Sequence, residues 1–102
     1  MNREITFKFE NKVWIYNTVK AAWHFITLPK SLAQEIIDLF GDQTKGWGSI
    51  TVEVSVGETK WLTSIFPDKN KKSYVLPLKA EVRKSENISE GKIVKVEITI
   101  GM

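Results

Sequence analysis

Apolar and polar residues alternate with period two along three stretches, Ile5–Phe9, Ile50–Val56 and Val94–Ile100. Strict alternation is the mark of a strand with one buried face. Further strands are expected at Val13–Tyr16, Ala22–Leu28, Trp61–Phe66 and Ser73–Leu76, with turns at Glu10-Asn11-Lys12 and Asp68-Lys69-Asn70. Two stretches switch to helical spacing. In the first, Ser31–Phe40, the residues Leu32, Ile36 and Phe40 recur one turn apart, Ser31 and Gln34 have capping-box spacing, and Gly41 stands where a stop is expected. In the second, Leu78–Glu86, Leu78 and Val82 make the apolar stripe while Lys79 and Arg83 share another face.

The order strand, turn, Trp strand, strand, Leu-Pro, helix occurs twice. Phe7, Phe9 and Trp14 recur 47 residues later as Val54, Val56 and Trp61, and Leu28-Pro29 recurs 48 later as Leu76-Pro77. ITVEVSV (50–56) is matched by VKVEITI (94–100). This periodicity predicts an internal duplication with halves at about 1–56 and 48–102, the Ile50 strand closing one unit and opening the next. Neither half can bury its apolar face alone. The fold class expected is therefore mostly β: one β-barrel domain over 1–102, built from two similar halves with two short α-helices covering its ends.

Composition agrees with a single core. The chain has 102 residues, 42% hydrophobic and 26% charged, which suits one globular domain. With no cysteine, disulfides, thiolate metal sites and cysteine nucleophiles are excluded. MNREITFKFE alternates charged and apolar residues and lacks the continuous apolar run of a secretory signal, and no stretch is long enough to span a membrane, so a cytoplasmic location is expected. The net charge is only +3, but between Lys69 and Lys84 six basic residues (Lys69, Lys71, Lys72, Lys79, Arg83, Lys84) face one acidic residue, Glu81.

Read together, TSIFPDK (63–69), YVLPLKAEVRK (74–84), ISEGKIVKVEI (88–98), WHFITLPKSLAQEI and GWGSITVEV resemble the prokaryotic domain-of-unknown-function family nineteen-oh-five over nearly the whole chain. The resemblance implies a double-split β-barrel capped by helices, an architecture also used in dimeric form by AbrB-like and MraZ-like transcription regulators. It implies no activity, because the family is uncharacterised.

Candidate chemistry is sparse. The sole histidine, His24, has no second histidine or cysteine with which to form a metal or catalytic set, so a structural role is expected. Glu53, Glu58, Glu81, Glu86, Glu90 and Glu97 lack the spacing of paired catalytic carboxylates or of an oxygen-ligand metal loop, and no cofactor is indicated. Gly46-Trp47-Gly48 precedes a strand and lacks the following Lys-Ser/Thr of a phosphate loop, so it reads as a turn with Trp47 packed. The remaining constellation is Trp61, Thr63, Ser64, Lys69, Lys79 and Arg83, in which hydroxyls and cations could converge on an anionic group. The alternative is a solvated basic face with Arg83 tying its helix to the carbonyls of the Thr63-Ser64 strand. The function expected is a non-enzymatic binding module for a small anionic ligand or an acidic protein surface. Weak nucleic-acid binding through the basic stretch is the second reading, and an enzyme needing an unseen partner the third.

Overall fold

The computed structural model describes residues 4–43 and 48–101. Gly46 and Trp47, expected in a turn, lie outside the described residues. Six strands form the wall: β1 (Glu4–Asn17), β2 (Ala22–Thr27), β3 (Ile50–Val56), β4 (Thr59–Asp68), β5 (Ser73–Pro77) and β6 (Ile93–Gly101). Helix α1 (Lys30–Phe40) follows β2 and runs into a 3₁₀ turn at Gly41–Gln43, and α2 (Ala80–Ser85) follows β5. All neighbouring strands are antiparallel and close into a barrel in the order β1-β2-β5-β4-β3-β6. The fold class expected from the residue pattern is the one observed.

Alternation explains the interior. Val52, Val54, Val56 and Val94, Val96, Ile98, Ile100 all point inward, joined by Ala33, Ile36 and Phe40 of α1 and Val82 of α2. The Phe7 ring meets Phe40 edge-on at 6.4 Å. Two punctuation signals are used differently from expectation. Pro29, not Ser31, precedes the first helical residue, no side chain caps the N-terminus, and Gln34 Nε2 donates instead to Asp38 Oδ1 at 2.9 Å, one turn on. Glu10-Asn11-Lys12 is no turn. β1 runs through it, pairing with β6 up to Lys12 and with β2 from Val13, while Asn11 Nδ2 donates to the Thr27 carbonyl at 2.9 Å.

The strand order is unchanged when β1, β2 and β3 are exchanged with β4, β5 and β6. The registers make the correspondence specific. If Leu28 matches Leu76, then Ile26 matches Tyr74, and these face Val13 and Pro67 respectively. If Ile50 matches Val94, then Val54 matches Ile98, and these face Trp61 and Phe7. Both routes relate β1 to β4 at a spacing of 54 residues, so the buried counterpart of Trp61 is Phe7 and not Trp14. Each strand is used once: β3 corresponds to β6 rather than serving both halves.

Candidate functional site

The site begins where β4 and β5 part. Gly57, with φ 57°, takes the first position of a two-residue turn, the geometry in which glycine is favoured, and sets Val56 opposite Thr59. From there β4 pairs with β3 as far as Ile65, but its ladder to β5 starts only at Phe66 opposite Val75. The next position on β5 that would bond to β4 is Pro77, which has no N–H, and the chain turns there toward α2. A cavity of about 330 Å³ opens in the gap. Its banks are Ala21–His24 on one side and Trp61–Thr63 on the other, and Pro77–Ala80 with Arg83 complete it.

Four of the six residues singled out in the sequence therefore meet: Trp61, Thr63, Lys79 and Arg83. Two do not. Ser64 sits on β4 just outside the lining, and Lys69 is exposed in the β4–β5 turn, where Asp68 Oδ1 accepts from the Asn70 and Lys71 backbone N–H groups at 3.1 and 3.3 Å. The basic stretch is divided. Lys71 lies 3.5 Å from the centroid of the Trp14 ring, whose Nε1 donates to Thr27 Oγ1 at 2.8 Å, whereas Lys79 and Arg83 stand at the other end of β5. Five residues of strand separate the two groups by about 16 Å, beyond a physiological Debye length.

Arg83 is held by a carbonyl other than those expected. Its Nε donates to the Leu78 carbonyl oxygen at 3.0 Å, at the entrance to its own helix, rather than to the Thr63-Ser64 strand. Its Nη1 lies 3.5 Å from His24 Nε2. The Leu78 N–H donates to the His24 carbonyl at 2.9 Å, tying the α2 entrance to β2. Among the described residues the one ion pair is Lys8–Glu97, so Arg83 has no carboxylate partner there, and no acidic side chain lines the cavity.

His24 is the residue that sequence reasoning missed. Alternation points it to the same side as Ile26, and a lone histidine beside no other ligand gave no further signal; its partner Arg83 is 59 positions away. Burial lowers its pKa from the ordinary value, and the Arg83 charge pushes the same way, while the Ala22 backbone and Glu90 oppose them. Its Nδ1 is buried without a hydrogen-bond partner among the described residues. The outward sides of the neighbouring strands are aromatic: Tyr16, Trp23 and Phe66 are exposed around a second, shallower hollow of about 560 Å³ that shares Trp23, Thr63 and Pro77 with the cavity. Among the described residues no group of three or more His, Asp or Glu side chains is placed to hold a metal ion, and no helix is long and apolar enough to cross a membrane.

A closed six-stranded antiparallel barrel, with a helix after its second and fifth strands and a cationic cleft where one strand leaves its neighbour, is the class of protein these features define. The chain belongs to the family of the domain of unknown function DUF1905, whose family model matches residues 9–98 and so takes in the whole cleft. No curated protein matches it.

Proposed function

We propose that this protein is a non-enzymatic binding module whose cleft between β2, β4 and the start of α2 holds an anionic group, carried by a small ligand or an acidic protein surface. The observation that carries the reading is a cavity lined by Lys79 and Arg83, with His24 beside them and no carboxylate. Arg83 is fixed through Nε, and with Nη1 beside His24 Nε2 its remaining terminal N–H groups are left for a charge-assisted contact with a carboxylate or phosphate. Trp61 and Trp23 supply apolar walls for the body of the ligand. The separation of the basic groups weighs against nucleic acid, which needs several phosphate contacts on one continuous face. The exchange symmetry of the barrel supports descent of its halves from one duplicated unit.

The test is thermal unfolding with sodium benzoate and with inorganic phosphate at constant ionic strength, for the wild type and Arg83→Lys. A ligand at ten times its Kd stabilises the native state by about 1.4 kcal/mol, or roughly 5–10 °C for a domain of this size. The wild type is expected to show such a shift and Arg83→Lys to lose it. Equal melting temperatures with and without both anions would remove the proposal.

A further inference from the structure

The cleft has a second property that the anion-binding reading does not use. Hydrogen-bonding groups of successive strand residues point to opposite sides. Since Val56 and Thr59 close a two-residue turn, Trp61, Thr63 and Ile65 bond to β3, and Lys60, Leu62 and Ser64 turn their N–H and C=O groups the other way, toward the side on which Leu62 lines the cavity. Among the described residues none of these three has a hydrogen-bond partner on that side, because the β5 ladder starts at Phe66. β4 thus presents a free strand edge inside a nominally closed barrel, with Leu62 exposed beside it.

We propose that an extended peptide adds to this edge as a strand and ends in the cleft with a free C-terminal carboxylate. The proposal rests on the anion-binding reading for the terminal group; the rest comes from the edge. A chain lying along Lys60–Ser64 cannot continue past the Phe66–Val75 pair, where β5 occupies the place it would need. It must therefore stop at the cavity, so what enters is a chain end. Lys79, Arg83 and the absence of acidic lining residues select the carboxylate over an N-terminal ammonium. The peptide then runs parallel to β4, its main chain bonding to Leu62 and Ser64, and alternate side chains meet the exposed Trp23, Leu62 and Phe66. Apolar residues are expected near its C-terminus.

The experiment pans the full chain against hexapeptides of random sequence tethered by their N-termini, with free C-terminal carboxylates in one library and C-terminal amides in the other. Retention is expected to favour the free carboxylates by about tenfold, the size of one charge-assisted hydrogen bond. The best peptide is then added to the wild type for amide hydrogen exchange, and the Leu62 and Ser64 amides are expected to slow by about tenfold or more while Thr51, on the far side of the hairpin, is unchanged. Equal retention of both libraries, or unchanged exchange at Leu62 and Ser64, would overturn the proposal. No retained peptide while benzoate still raises the melting temperature would overturn strand addition and leave anion binding standing. Neither response would remove both.

Discussion

Arg83 is where structure and chemistry meet in one side chain. Lysine at this position keeps the charge but loses both the Nε donor to Leu78 and the planar fork. Arg83→Lys is expected to lower stability by about 1–3 kcal/mol, as for loss of a partly buried charged hydrogen bond. Urea unfolding measures that cost apart from the ligand response, and no loss would mean that the Leu78 contact holds nothing. His24 adds a pH dependence with a definite sign. Its folded pKa lies below the unfolded value of 6.5, so as pH falls through 6.5 the unfolded chain takes up the proton first and stability declines. The wild-type urea midpoint should fall between pH 7.5 and 5.5, and His24→Asn should fall less; parallel curves would contradict the assignment. A bound anion favours the imidazolium, so affinity for benzoate should rise over the same interval. The Trp61, Thr63, Lys79 and Arg83 cluster was legible because hydroxyl, aromatic and cationic types near a Leu-Pro turn suggest anion chemistry. Lys69 was misplaced because nearness in sequence says nothing about which end of a five-residue strand a group occupies.

At the level of elements, alternation located the first part of β1, β3 and β6, the remaining strands lie where runs between turn-type clusters placed them, and the two strands expected at Ile5–Phe9 and Val13–Tyr16 are one. What it could not show was partner exchange. Glu10-Asn11-Lys12 has turn composition, yet β1 continues through it, because these three residues stay in register with Ile93–Lys95 of β6 and the ladder to β2 takes over at Val13, a change of partner that composition does not mark. The Ser31 cap failed for a related reason: Pro29 already fixes the backbone at the helix entrance. The β3–β4 hairpin gives a sharp prediction. A Cβ on Gly57 would collide with the Glu86 carboxylate, which accepts from Thr59 Oγ1 at 2.6 Å, and would also be strained at positive φ. Gly57→Ala should cost about 1–3 kcal/mol by chemical denaturation. A change within about 0.5 kcal/mol would mean that this turn does not set the hairpin.

The whole molecule is a barrel whose two halves correspond in strand order and register but differ in what they do with the gap beside the helix. On one side Trp61, buried and paired to β3, and Arg83 border a cleft; at the corresponding place in β1, Phe7, likewise buried and paired to β6, is met edge-on by Phe40 of the longer helix α1. The Trp14–Trp61 match in sequence was misleading because a tryptophan pair is conspicuous, whereas the registers relate the less obvious Phe7 to Trp61. Asymmetry of this kind is what would let a repeated unit keep one half for support and open the other for binding. The separation of Lys69–Lys72 from Lys79 and Arg83 makes the cleft, and not the basic stretch as a whole, the proposed seat of anion binding. The most direct test is a benzoate titration followed by NMR of backbone amides and Arg side-chain Nε–H groups. The account predicts that Arg83 Nε, His24, Thr63 and Lys79 shift together along one saturating curve while Lys69–Lys72 stay still; shifts centred on Lys69–Lys72, or none that saturate, would contradict it.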